Sequence, residues 1–316
     1  MATLLVSSIG GHLTQLRRLV PSLQGIDSDR RWVTFDSPQS RSMLKDEDVI
    51  YLDYACPRDA KQILRHALVA GRLFRGHHPF STVISTGSGI ALSFLPIGRM
   101  RGASCHYIES FTRTNGPSVT GRLLSRVPGV ALYTQYPRWA KPPWVYSGSV
   151  FDTFAAASPL APDRDICSAV VTVGTMEKYS FRRLIERALA VLPASTEVLW
   201  QVGCTDVSGL PIRAHKVLPA HELTAAIAAA DVVIAHAGTG SSVAALEVGK
   251  KPVLVPRLAA FGENIDDHQV LLARELSKRD LAVVRSVEDL TTADLRLAAC
   301  LSVSAEARLA PFELVS

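Results

Sequence analysis

Val232-Val233-Ile234-Ala235 is an apolar run of strand type. It breaks into His236-Ala237-Gly238-Thr239-Gly240-Ser241-Ser242 and then into a helical pattern carried by Val243, Leu246 and Glu247. A strand that turns through small residues into a helix leaves the first helical N–H groups unbonded, at the positive end of the helix dipole. Such a turn is a seat for a phosphate, with Gly238, Thr239, Gly240 and Ser241 as its strongest candidates and His236 beside them. Val173-Gly174-Thr175 ends an earlier strand and can meet the same anion through N–H groups and the Thr175 hydroxyl. Gly203 and Leu218 follow later strands, where their backbone groups can line a base pocket. Asp267 and Gln269 offer a carboxylate and an amide suited to sugar hydroxyls.

A second group of chemistry-bearing residues occupies the first half. Ser7-Ser8-Ile9-Gly10-Gly11-His12-Leu13 follows the first apolar run, and its paired glycines let a ligand approach the backbone closely. His12 at that position can act as a general base near neutral pH, or it can cap or pack the first helix. A dinucleotide-binding turn is disfavoured, because the G-x-G-x-x-G spacing is absent. Ser85-Thr86-Gly87-Ser88-Gly89 ends another strand, and Tyr107-Ile108-Glu109-Ser110 with Arg113 ends a third. Glu109 can hydrogen-bond an acceptor hydroxyl or orient His12, and Arg113 can pair with a phosphate; a loop salt bridge between the two is an equal alternative. Gly10, Gly11, Ser88 and Arg113 are the ligand-binding candidates of this half, which the resemblance given below assigns to an acceptor, and His12 and Glu109 the catalytic ones.

These turns need parallel strands to carry them. Leu4–Val6, Trp32–Phe35, Thr82–Ser85 and Cys105–Ile108 are short apolar runs separated by helical patterns near 13–24, 58–75 and 88–100. After Trp144-Val145-Tyr146, the stretch from Ala155 to Asp165 is rich in Ala, Pro and Ser and reads as a linker. The pattern then restarts at 169–173, 197–201, 216–218, 232–234 and 253–255. The expected fold is α/β: two Rossmann-like, doubly wound domains, residues 1–160 and 161–316, facing a central cleft, with a C-terminal helix about 305–316 packing back on the first.

Composition narrows the function classes. A chain of 316 residues with 47% hydrophobic and 20% charged residues is globular. Five scattered cysteines without CxxC spacing point to a reducing, cytoplasmic setting and no metal framework. Met1 to Val6 reads as a strand rather than a signal peptide, and no apolar run reaches membrane-spanning length. Residues 1–160 carry 18 Lys and Arg against 10 Asp and Glu, a net +8, while the remainder carries 16 against 19, a net −3. A basic first half can attract an anionic membrane surface or a phosphorylated acceptor. Nucleic acid is not expected, since no aromatic platforms or recognisable module accompany the charge.

The combined motifs, in this order, resemble glycosyltransferase family 28, the MurG-like GT-B transferases. The second half is similar to its donor-binding module through Val173-Gly174-Thr175, His236 to Ser241, Gly249-Lys250-Lys251-Pro252, Pro256-Arg257 and Asp267-His268-Gln269. The first half is similar to the acceptor-side (PssD-like) chains of two-subunit exopolysaccharide transferases, whose donor-side (PssE-like) partners resemble the second half. This chain fuses the two.

The resemblance implies a GT-B fold, a UDP-sugar donor in the second half, and a lipid-linked or other saccharide acceptor in the first. It also implies metal-independent, inverting transfer with no cofactor, at the inner face of the cytoplasmic membrane. Many related transferases place a glutamate eight residues after the motif histidine to hold the ribose. Here that residue is Ala244 and the nearest acid is Glu247. The membrane-anchoring helix of acceptor-side chains is also missing, so membrane contact is expected to be peripheral. A UDP-sugar epimerase of related fold and a non-catalytic donor-binding subunit are the alternatives.

Overall fold

The computed structural model describes residues 2–56, 59–76, 80–157, 165–174, 178–265, 267–305 and 311–315. The chain divides into two units, Met1–Asp152 with Leu309–Ser316, and Thr153–Arg308. The break therefore falls earlier than the 160/161 boundary expected, and the first unit is discontinuous in sequence.

The first unit opens with β1 (Ala2–Val6), α1 (Gly11–Leu19), β2 (Leu23–Gln24), β3 (Arg30–Phe35), α2 (Pro38–Met43) and β4 (Val49–Leu52). It continues with α3 (Ala60–Leu73), β5 (Phe80–Ser85), α4 (Ile90–Met100), β6 (Ser104–Ile108), α5 (Val119–Leu124), β7 (Val130–Thr134) and β8 (Trp144–Tyr146). Seven strands form one parallel sheet in the order β4-β3-β1-β5-β6-β7-β8. Helices cover both faces of such a sheet, so its strands read as continuous apolar runs rather than alternating ones. Leu4, Leu5 and Val6 are all fully buried, each burial contributing about 1.5–3 kcal/mol. The strand order reverses direction at β1 and β5, and ligands of open α/β sheets bind at the carboxyl ends of the strands flanking that reversal.

The second unit contains β9 (Ala155–Ala156), β10 (Ser168–Thr172), α6 (Arg182–Val191), β11 (Glu197–Gln201), β12 (Ala214–His215) and α7 (Ala220–Ala229). It then runs through β13 (Val232–Ala235), α8 (Thr239–Glu247), β14 (Val253–Leu254), α9 (His268–Lys278), β15 (Val283–Val284), α10 (Thr292–Ala299) and β16 (Val303–Ser304). Six strands form a parallel sheet ordered β12-β11-β10-β13-β14-β15, whose reversal lies between β10 and β13. Its core gathers Val171, Val173, Phe181, Ile185, Ile234 and Val253. Both units are thus doubly wound and Rossmann-like, the two-unit pattern of the GT-B fold.

Three expectations need correction. The strand expected at 216–218 ends earlier, at His215: the Leu218 N–H turns aside to the Gln201 side chain, 3.0 Å away. The Ala-rich stretch after Thr153 is not wholly linker, because Ala155–Ala156 pairs antiparallel with Val303–Ser304; residues 158–164 lie outside those described. Within the segment expected to form a helix about 305–316, Phe312–Glu313 forms a strand, β17, parallel to β2. Phe312 is buried against Tyr133, and the Val315 N–H donates to the Tyr133 hydroxyl at 2.8 Å. Those contacts reward an extended backbone over a helical one.

Candidate functional site

In the first unit the carboxyl ends of β1, β5 and β6 surround a cleft of about 650 Å³. Gly10 enters α1 with φ 74°, ψ −140°, a conformation open to glycine and strained for any side chain. No side chain caps the helix, whose buried Leu13, Leu16 and Leu19 pin it to the sheet. His12 and Gly11 therefore sit in an uncapped first turn, and His12 lines the cleft.

The His12 ring is fixed by its neighbour across the reversal. Its Nδ1 lies 2.7 Å from the Thr86 carbonyl oxygen, and the Thr86 hydroxyl donates to the His12 carbonyl at 2.8 Å. A carbonyl can only accept, so Nδ1 carries the proton and Nε2 is left with its lone pair. Burial lowers the His12 pKa; the Thr86 carbonyl and the Glu109 charge oppose that shift, and Arg113 adds to it. The outcome is a neutral imidazole with one fixed proton, the form a general base requires.

Glu109, the other catalytic candidate, is held by its own loop. It is 1% exposed. Its Oε1 accepts from the Tyr107 hydroxyl at 3.1 Å and the Ser110 N–H at 2.9 Å, and its Oε2 from the Ser118 N–H at 2.8 Å. With three donors in place it organises the loop at the end of β6. Gly121 is required for this packing, since a Cβ there would stand 2.5 Å from Oε2. Gln15 and Gln135 reinforce it by donating to the Glu109 carbonyl at 3.3 and 2.8 Å. Ser88 and Arg113 line the same cleft, Arg113 with its side chain exposed. The salt bridge considered between Glu109 and Arg113 is not formed among the described residues. Phe35, Tyr54, Ile63, Ile90, Leu92, Val119 and Leu123 supply an apolar wall.

In the second unit the site forms where β10 and β13 end. Gly174, at φ 76°, and Gly238 hold the His236 ring between their backbones. A Cβ on Gly174 would stand 2.6 Å from Nε2, and one on Gly238 would stand 2.5 Å from Cε1 and closer still to Nε2. The Nδ1 of His236 lies 3.3 Å from the Thr172 carbonyl. Burial, with a contribution from Arg257, drives its pKa down to about 3. His236 is thus a neutral clasp joining two strand ends, not a proton carrier. Gly238 is the N-cap of α8 and gives no side-chain cap, so Thr239, Gly240 and Ser241 form an uncapped first turn. A Cβ on Gly240 would meet nothing within 4 Å.

The remaining donor-side candidates are dispersed. Thr175 lies outside the described residues. The Gly203 N–H donates to the Lys216 carbonyl at 3.0 Å, and Gln201 joins β10 to this edge by donating to the Thr172 hydroxyl at 2.9 Å. Glu247 is exposed at the far end of α8, some two helical turns from the phosphate seat. Asp267 accepts from the Ala259 N–H at 2.9 Å and is otherwise exposed. Gln269 is buried and its amide oxygen accepts from the Arg257 N–H at 3.1 Å, so it holds the loop after β14. Among the described residues no group of three His, Cys, Asp or Glu side chains is assembled that could hold a metal ion.

The comparisons agree with this division. Residues 168–301 match the family model for the glycosyltransferase family 28 C-terminal domain. The UDP-N-acetylglucosamine--N-acetylmuramyl-(pentapeptide) pyrophosphoryl-undecaprenol N-acetylglucosamine transferase of Ralstonia nicotianae is 34% identical over 158 residues, 45% of this chain and 42% of that protein. The same enzyme of Sorangium cellulosum is 31% identical over 155 residues, 45% of this chain and 37% of that protein. The chain thus matches less than half the length of either.

Among solved structures, MurG of Acinetobacter baumannii aligns with TM-score 0.55 and 18% identity over 94% of this chain and 89% of that one. The UDP-GlcNAc 2-epimerase of Methanocaldococcus jannaschii aligns with TM-score 0.56 and 10% identity over 98% of this chain and 97% of that one. At such identities these structures speak for the fold alone. The second unit thus matches a glycosyltransferase family 28 C-terminal domain, on a chain whose two Rossmann-like units have the GT-B fold.

Proposed function

We propose that this chain is a glycosyltransferase that moves a sugar from a UDP-sugar to an acceptor hydroxyl. The observation that carries the reading is the uncapped first turn of α8, set by the Gly174–His236–Gly238 clasp inside the segment that matches the family 28 domain. Unbonded N–H groups there can receive the donor diphosphate and the charge that develops on departing UDP. In the first unit His12 Nε2 takes the acceptor hydroxyl proton as that oxygen bonds to the anomeric carbon. The bond from that carbon to the diphosphate oxygen breaks, and its electron pair leaves with UDP. Direct displacement of this kind inverts the anomeric centre.

The acceptor is proposed to be a lipid-linked saccharide, as the names of the curated relatives suggest for their own reactions. The apolar wall beside His12 supports an amphipathic acceptor. Leu64 and Leu68 of α3 and Val119 and Leu123 of α5 are exposed, Val119 and Leu123 at that cleft, and the same two helices and their ends carry Arg65, Arg122 and Arg126. We read this rim as a peripheral contact with an anionic membrane face. No described helix is long and apolar enough to cross a membrane. Co-sedimentation with phosphatidylglycerol vesicles should fall severalfold for Leu64→Asp/Leu68→Asp, and unchanged binding would refute the contact.

The donor reading is tested by calorimetric titration of the purified protein with UDP, ADP, GDP and TDP in EDTA. UDP should bind selectively, and folded protein that binds none of the four would remove the donor site. UDP-N-acetylglucosamine is the first sugar donor to try. Its conversion to another UDP-sugar without an acceptor would replace transfer by epimerisation.

A further inference from the structure

Arg257 lies in the loop after β14 and is 1% exposed. Its guanidinium makes one hydrogen bond, from Nη2 to the Val173 carbonyl at 2.6 Å, at the end of the strand that leads into Gly174. Nε and Nη1 are buried and have no partner among the described residues. Phe181 faces the group, with its ring centre 5.7 Å from Cζ. The carboxylate closest in influence, Glu263, is already taken. It pairs with Arg183 at 2.8 Å and accepts from the Leu258 N–H at 3.0 Å.

An arginine stays protonated at any physiological pH, so this is a buried positive charge with two donors idle among the described residues. Buried charges are ordinarily paired, because leaving one unpaired is among the most destabilising arrangements a fold can hold. Such a group needs a reason to be kept. Its field reaches the phosphate seat: Arg257 helps lower the pKa of His236, the ring held between Gly174 and Gly238. The guanidinium therefore stands at the end of the strand that leads into Gly174, within electrostatic reach of the His236 ring.

We propose that Arg257 is a positioning cation whose missing counter-charge is the diphosphate of the nucleotide ligand seated on the first turn of α8. The proposal rests on the donor reading given above. Arg257 acts through the Val173–Gly174 backbone and the electric field rather than by contact, and adds a full charge to the partial charges of the helix terminus. That combination lets a diphosphate be held by backbone N–H groups backed by one fixed cation.

The test compares wild type, Arg257→Met and Arg257→Lys in titrations with UDP and with uridine, which lacks the phosphates. A fixed unit charge near a diphosphate, at an effective dielectric of about 20, changes affinity on the order of 30-fold. Arg257→Met should weaken UDP by about that factor and leave uridine within about twofold, while Arg257→Lys should retain most UDP affinity. Without ligand, the Met variant should melt no lower than wild type, since a buried unpaired charge has been removed. Inorganic pyrophosphate should raise the melting temperature of wild type and not of the Met variant.

Equal losses for UDP and uridine, or a UDP affinity unchanged by the Met substitution, would overturn the proposal. Arg257→Gln carries the same comparison if the Met variant does not fold. Wild type that binds no UDP overturns the donor reading itself, a result distinct from either of these.

Discussion

Substitution of Gly238 by alanine tests the clasp around His236 in isolation. Gly238 has φ −75°, so alanine adopts its backbone without strain and the whole effect is steric. The new Cβ would stand 2.5 Å from His236 Cε1, where ordinary contact begins near 3.4 Å. The ring cannot retreat, because Gly174 closes the opposite side and Nδ1 is tied to Thr172.

Overpacking of this kind costs about 1–3 kcal/mol, and losing the His236 hydrogen bond adds about 1 kcal/mol. For a unit of this size the sum lowers the melting temperature by roughly 5–15 °C. Hydrogen exchange should rise in peptides spanning β10, β13 and α8. The double variant His236→Ala/Gly238→Ala should be no less stable than His236→Ala alone, because the methyl then enters the space the ring has left. Gly240→Ala is the counterpart: its Cβ meets open space, and alanine is favoured over glycine in a helix by up to about 1 kcal/mol, so stability should hold or rise. That methyl projects from the proposed phosphate seat, so UDP affinity should drop. A Gly238→Ala protein that melts within about 1 °C of wild type would refute the clasp.

His12→Ala should lower transfer by about 10²–10⁴-fold while UDP affinity stays within about twofold; equal losses in both would remove the general-base role. Because burial holds the His12 pKa below 6.5, the acid limb of kcat/KM should lie below that pH, and a midpoint above 6.5 would contradict the assignment. Stability has its own acid dependence. His236, lowered to about 3, and His106, lowered to about 4, stay neutral in the fold while the unfolded chain takes up protons as pH falls through 6.5. Each unit should therefore lose on the order of 1.4 kcal/mol per pH unit below 6.5, until the folded pKa is reached. Denaturant midpoints that are flat between pH 6.5 and 4.5 would refute it.

What could be read in the chain was whatever short-range pattern encodes. The apolar runs at 4–6, 82–85 and 232–234 became central strands, because a parallel sheet covered on both faces demands such runs. The glycine turns after β1 and β13 gave the uncapped helices, since strand, small residues and helix lie contiguous in sequence. The tautomer of His12 was hidden, because it depends on Thr86, 74 residues away. Glu109 looked catalytic by residue type and position at a strand end. Its three donors, two of them at Tyr107 and Ser118, and the glutamines behind it become visible only when tertiary packing brings them together. Arg257 gave no signal of burial, since an arginine after a Pro in a loop ordinarily faces water. The misread C-terminal segment followed from a missing local cue: two-residue β17 exists through its pairing with β2 and the Phe312–Tyr133 contact.

The return of β17 to the first unit has a consequence for how the protein is made. The second unit is drawn from one unbroken stretch of chain, 153–308, and is inserted within the first. On a ribosome the seven-stranded sheet can be assembled early, but the strand that covers Tyr133 emerges only after the inserted unit. The first unit is thus completed only after the second. Tyr133 stays without its Phe312 cover throughout synthesis of the inserted unit. A protein cut at 152/153 to produce the halves as separate polypeptides would strand residues 309–316 on the wrong piece.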